Sequence, residues 1–260
     1  MSITLSVKTD IAETLKRFEV LEPRQFPFIV SLAMNKTTGR IKEALKANMP
    51  MSLDRPTRFT LNSLMTKPAT KQKLEAEVGL RDFAPKGTPA STYLMPQVHG
   101  GSRKHKRFER ALILSGIMPA GYFAVPGKGA KLDSSGNLSG SFITAILSYL
   151  KASPDSYQNR TDKSGRKPRV AQRQFFAVKE HSISGRLPMG IYQRTGGNIR
   201  LVIAFVKQPK YNKRFLMFDI SQKLTKQYLQ EELVKAAERA LATSSSKVSL
   251  SDFQNAINYF

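Results

Sequence analysis

The apolar residues of this chain change period along its length, and that change decides what the chain can fold into. Phe26, Ile29, Leu32, Ala33, Ile41, Ala44 and Leu45 recur at helical spacing. They predict one long amphipathic helix from about Gln25 to Asn48, with Pro23 and Pro27 near its start and Met49 and Pro50 at its end. Gly39 in its middle opposes the helix by on the order of 1 kcal/mol relative to alanine. Leu74, Ala76, Val78 and Leu80 then alternate with Lys73, Glu75, Glu77 and Gly79, the period of a half-buried strand. A strand over 61–67 with Pro68, Ala69 and Thr70 in the turn completes an antiparallel hairpin.

Residues 82–102 are rich in Gly, Pro, Ser and Thr and read as a long loop. A helix is expected over 104–115, closed by Gly116 and Pro119. A short strand is expected over 122–125, and a second amphipathic helix over 141–152. From 153 to 174 the chain is polar and basic without an apolar period, an exposed arm. Strands follow at 174–179, 190–194 and 199–206, the last two joined by a Thr195-Gly196-Gly197-Asn198 turn whose glycines suit a tight hairpin. Asp219 and Gln222 have capping-box spacing and open a helix to about Ala242. At the ends, residues 1–9 form a short strand, Asp10 and Glu13 cap a brief helix, and a last short helix starts at Ser251. The expected class is α+β, a mainly antiparallel sheet flanked by long N-terminal and C-terminal helices with a basic loop insertion. We expect an N-terminal appendage over 1–24, a core over 25–243 and a C-terminal tail over 244–260.

Chemistry is sparse. The chain has no cysteine, which removes disulfides, thiolate nucleophiles and thiolate metal sites and suits synthesis in a reducing cytosol. His99, His105 and His181 have no second histidine or carboxylate at metal-site spacing. His105 reads as a polar member of a cationic surface and His99 as part of the loop before Gly100. The segment GYFAVPGKGAK (121–131) falls short of a phosphate-binding loop, since Gly121 and Gly127 are six apart and Gly129 stands where a hydroxyl should bind magnesium. It reads as a surface turn after a short strand. No nucleophile elbow or carboxylate pair is present, so no enzyme activity, cofactor or metal is expected. There is no apolar run long enough to span a bilayer and no secretory leader pattern at the start, so no membrane partner is expected.

Charge is the strongest remaining signal. Lys plus Arg number 42 against 19 Asp plus Glu, a formal net charge of +23, which calls for an anionic neighbour. Two clusters stand out. In a helix starting at 104, Arg103, Lys106, Arg107 and Arg110 would share a face with Lys104 beside them. Lys163, Arg166, Lys167, Arg169 and Arg173 lie in the basic arm. Aromatic residues are thinly interleaved, so contact with duplex phosphate backbone without sequence preference is expected over base readout.

Several stretches resemble a tailed-bacteriophage group related to the minor tail protein Z, or tail-completion, family. They are LDRPTRFTLNSL (53–64), TKPATKQKLEAEV (66–78), TPASTYLMPQVHGGSRKHKRFERAL (88–112), GIMPAGYFAVPGKGAKLDSSGNLSG (116–140), GIYQR (190–194) and PKYNKRF (209–215). They cover roughly the middle three quarters of the chain. The resemblance implies a virion structural protein at the neck or top of the tail, assembled in the bacterial host cytoplasm. It would complete the tail or join head to tail as a homo-oligomeric ring whose partners are other phage neck and tail proteins and packaged or exiting DNA. The alternative is a nucleic-acid-binding accessory protein without sequence preference. A phosphoryl-transfer enzyme would need a carboxylate or histidine signature that the sequence lacks.

Overall fold

The computed structural model describes residues 4–8, 25–85, 87–161, 174–179 and 187–242. In chain order these form β1 (Thr4–Lys8), α1 (Gln25–Ser52), α2 (Arg58–Leu61), β2 (Leu64–Lys67), β3 (Glu75–Leu80), α3 (Ala90–Tyr93), α4 (Met95–His99), β4 (Gly101–Ser102), α5 (Arg107–Leu114), β5 (Tyr122–Pro126) and α6 (Gly140–Tyr149). A 3-10 turn (Ser156–Gln158), β6 (Gln174–Val178), β7 (Gly190–Thr195), β8 (Asn198–Lys207), β9 (Lys210–Tyr211) and α7 (Met217–Ala242) complete the set. The class is α+β as expected, with every strand pairing antiparallel. The expected helices from Asp10 and Ser251 and most of the basic arm lie outside the described residues.

Where the sequence reads as one core, the chain divides into two compact units, Met1–Gly100 with Asn212–Phe260 and Gly101–Tyr211. The first unit is organised by α1 and α7. Phe26, Ile29, Val30, Ala33, Met34, Ile41, Leu45 and Met49 are all buried, and their spacing of three and four makes one continuous stripe along α1. Its first half packs on Leu233, Ala236, Ala237 and Ala240 of α7. The second half meets Leu64, Val78 and Leu80 of the β2–β3 hairpin together with Phe215 and Met217. The helix outruns its expected end. Pro50 sits in its last turn, where a missing N–H costs one bond, and the Leu53 N–H still reaches the Met49 carbonyl at 2.9 Å. The β2–β3 turn is tied to α1 by a single amide: Asn35 Nδ2 donates to the Ala69 carbonyl at 3.0 Å and Asn35 Oδ1 accepts from the Ala69 N–H at 2.7 Å.

Three local expectations give way in this unit. The N-terminal strand is no appendage, because β1 pairs along β3 and makes the sheet order β1-β3-β2. The loop over 82–102 contains α3 and α4, whose Ala90, Leu94 and Val98 are buried four residues apart. Pro89 precedes α3 and Pro96 lies in the first turn of α4, positions where proline starts a helix as readily as it ends one. Asp219 does not cap α7, which begins two residues earlier; its carboxylate accepts from Lys213 Nζ at 2.9 Å.

The second unit holds a four-stranded sheet of order β5-β8-β7-β6 and a two-residue ribbon of β4 with β9. The β7–β8 hairpin turns at Thr195↔Asn198, as the glycine pair predicts. Its register shifts beside Ile191, leaving Val202 opposite no partner, a bulge that increases the local twist. One face of the sheet carries Ala124, Phe175, Ile191, Ile203 and Phe205 into a core closed by Ala111 and Leu112 of α5 and Ile146 and Leu147 of α6.

Candidate anion-binding surface

Helix α5 starts at Arg107, with Lys106 at its N-cap, three residues later than the charge pattern suggests. Arg103 is therefore off the helix and cannot share a helical face with Lys106, Arg107 and Arg110. It folds inward instead. Its guanidinium grips Glu109, Nη1 to Oε2 at 2.7 Å and Nη2 to Oε1 at 2.5 Å. The Glu109 side chain is fully buried and that of Arg103 retains 13% exposure. Glu109 also accepts the Lys106 N–H at 2.6 Å and the Ala124 N–H at 2.8 Å, while Arg103 donates to the Ala124 carbonyl at 3.2 Å. Because β5 is an outer strand, its polar groups facing away from β8 have no neighbouring strand. At Ala124 a carboxylate and a guanidinium take that place and seal the edge.

Burial by itself would push the Glu109 carboxyl up, but the hydrogen bonds from Arg103, Lys106 and Ala124 outweigh it and hold the group below its ordinary range. Burial likewise opposes the charge on Arg103, and the hydrogen bond and charge of Glu109, followed by Tyr211, raise its pKa over that penalty. His105 is part of the same layer. Its ring stacks on Phe123 with centroids 4.1 Å apart, and the Arg103 guanidinium lies 4.8 Å from that ring. His105 is thus a packed ring and not a surface member of a charge run; His99, likewise, ends α4 with its ring 5.6 Å from Phe218.

The rest of the first cluster faces out. Lys104, Lys106, Arg107 and Arg110 are exposed, and among the described residues none of them has an ion-pair partner. Desolvation, with the neighbouring Arg103 charge second, lowers the Lys106 pKa. The other expected residues, Lys163, Arg166, Lys167, Arg169 and Arg173, lie outside the described residues.

Strand register adds cations that a linear scan does not group with these. Lys207 stands opposite Tyr122 at one end of β5, and Lys210 opposite Ser102, one residue before Arg103. At the other end of β5 the 126–130 loop lies flat along β8. The Gly127 N–H donates to the Val202 carbonyl at 3.0 Å and the Gly129 N–H to the Leu201 carbonyl at 2.9 Å. A Cβ at Gly127 would sit 2.3 Å from the Leu201 carbonyl oxygen, and one at Gly129 2.6 Å from Arg200 Cβ. The glycines of this loop serve close backbone approach, as a surface turn requires, and the loop presents the exposed Lys128 next to Arg200.

The two units treat charge differently. Gly101–Tyr211 holds 20 Lys plus Arg against five Asp plus Glu, a net +15, whereas the remaining 149 residues hold 22 against 14, a net +8. The described acidic groups of the second unit are committed to its own fold. Glu109 seals β5, Asp133 accepts the Ser135 and Asn137 N–H groups, and Asp155 accepts the Tyr157 N–H. Comparison of the whole chain with protein-family models, curated proteins and solved structures finds no match to any of them. Among the described residues no three His, Asp or Glu side chains gather as metal ligands, and no helix is long and apolar enough to cross a membrane.

Proposed function

We propose that this protein is a structural subunit of a tailed-phage virion, forming or completing a homo-oligomeric ring at the head–tail junction or the top of the tail. The supporting observation is where the stretches that resemble the tail-completion group lie in the fold. LDRPTRFTLNSL leads from the end of α1 through α2 to β2, with Thr60, Ser63 and Leu64 buried; TKPATKQKLEAEV is the β2–β3 hairpin; GIYQR lies in β7. In PKYNKRF, Phe215 is fully buried, and the Arg214 and Phe215 N–H groups both donate to the Gln97 carbonyl at 2.9 Å. These residues make turns, strand pairs and core, the parts a scaffold depends on, and a ring adds one further requirement. Each subunit must present two different complementary faces, since a closed ring uses heterologous contacts. The exposed cations of the second unit then give the subunit an anion-facing side.

Light scattering of the purified protein and cryo-electron microscopy of phage particles around the neck test this reading together. A ring of this chain between portal and tail is the expected result. A protein that stays monomeric at high concentration and is absent from purified particles by mass spectrometry would sink it.

A further inference from the structure

We propose that the surface around β5 of the second unit, formed by the cations at its free edge and those on the neighbouring strand β8, binds the phosphate backbone of duplex nucleic acid without reading its sequence. The exposed cations described above fall at successive levels along β5. Lys207 and Lys210 mark the Tyr122 end. Lys104, Lys106 and Arg107 flank the middle, because the Arg103–Glu109 pair pins their segment to Ala124. Lys128 and Arg200 mark the end beyond Pro126. Tyr122 and Ala124 are two strand residues apart, so the first two levels are spaced by about 6.6 Å, about two nucleotide rises along one strand of a duplex. Arg200 lies three β8 residues past Ile203, the partner of Pro126, so the row of cations continues past the end of the strand.

Unfixed side-chain geometry distinguishes this surface from one built for a particular protein. Recognition of a carboxylate at a set position relies on an oriented, often bidentate, donor. Among the described residues no side-chain hydrogen bond or ion pair orients any of these seven cations, while the guanidinium of Arg103, held by Glu109, is turned inward. Unoriented cations in a line suit a polymer of uniform negative charge, and binding then comes from release of its counterions. Duplex binding at this surface goes beyond the ring reading and does not depend on it.

Fluorescence anisotropy of the full chain with duplexes of about 30 base pairs and unrelated sequences tests it across a salt series. The wild type is expected to bind all sequences alike and to weaken steeply with salt. The variant K104Q/K106Q/R107Q/K210Q is expected to bind at least about tenfold more weakly near 0.1 M salt, with a log–log salt slope reduced by about 0.9 for each phosphate that is no longer neutralised. The control K36Q/R81Q/K223Q/K226Q removes the same charge from exposed residues of the first unit and is expected to lose less than about threefold. Equal losses in the two variants, with circular dichroism showing both folded, would overturn the proposal, as would no binding by the wild type at low salt. Competition by poly-glutamate as effective as by duplex would assign the surface to acidic protein and overturn it too. Duplex binding by a protein absent from particles would end the ring reading alone; a ring in particles without duplex binding would end this proposal alone.

Discussion

The two units of this chain meet an excess of positive charge in opposite ways. In the first, acidic side chains on one element reach cations on another: Arg40 of α1 donates to Glu231 at 2.9 Å and Glu232 at 2.8 Å on α7 while lying 3.6 Å from the Tyr228 ring, and Lys67 of β2 pairs with Glu77 of β3 at 2.8 Å. In the second, the described carboxylates turn mainly to backbone N–H groups and to one buried arginine, and among the described residues the outward Lys104, Lys106, Arg107 and Arg110 have no ion-pair partner. The lesson is that net charge does not locate a binding surface. What locates it is where the acidic residues are spent.

The largest expected effect falls on the buried ion pair of the second unit, Arg103 with Glu109. Arg103→Met leaves Glu109 buried without its guanidinium, and breaking a buried pair from one side costs about 3–5 kcal/mol, to be read from urea unfolding at neutral pH. Arg40→Met removes pairs to Glu231 and Glu232 from an arginine that keeps 37% of its exposure, against partners at 43% and 12%, so solvent screens them more than it does Arg103–Glu109, and its unfolding midpoint should shift less. Similar losses for the two variants would mean that the units do not differ in this respect.

Acid sharpens the same contrast. The Glu109 carboxyl is held below its ordinary range in the folded protein, so its contribution is complete above the unfolded value, about 4.3. It disappears as pH falls through the depressed folded value. The stability gap between wild type and Arg103→Met should therefore narrow on acidification below about pH 4.3. A gap that stays constant would show that Arg103 acts through packing on Phe123 instead of through the carboxylate.

A smaller effect separates the turns of the two units from their helices. At Gly127 an alanine methyl would meet the Leu201 carbonyl oxygen at 2.3 Å and the Leu201 side chain at 2.8 Å. Because backbone must move to admit it, Gly127→Ala should cost about 1–3 kcal/mol, the usual range for overpacking. It should also weaken protection of the Gly127 and Gly129 amides in hydrogen exchange, since both bond to β8. Unchanged exchange would mean the loop is not held there.

Much of the first unit was legible because its helices and hairpin carry their period in consecutive residues. The stripe from Phe26 to Met49 and the alternation from Ala76 to Leu80 name their own buried faces. Ala90, Leu94 and Val98 carried such a stripe as well, hidden by prolines that mark helix starts as often as ends. The second unit's β7–β8 turn was equally readable, since paired glycines define it. Its candidate surface was not. Whether Arg103 faces solvent depends on Glu109 six residues later and on Ala124 across the sheet edge, and charge runs do not reveal such partners. Lys207 and Lys210 join Lys104 only through register, which is set by the pairing of strands and not by any local pattern.

The smallest expected effect has the opposite sign and returns to the first unit. Gly39 lies half-buried inside α1, and a methyl group added there would have nothing within 4 Å of it. Glycine in a helix interior costs backbone entropy, so Gly39→Ala should stabilise the protein by about 0.5–1 kcal/mol, measured by the same urea titration. Alanine thus tests the two glycines against each other: open space beside Gly39 leaves only the entropy gain, whereas the β8 backbone beside Gly127 leaves no room for it. A destabilised Gly39→Ala would show that this surface of α1 packs closely against a second copy of the chain in solution. A neighbouring subunit of a ring would be the first occupant to look for, by repeating the substitution in assembled particles.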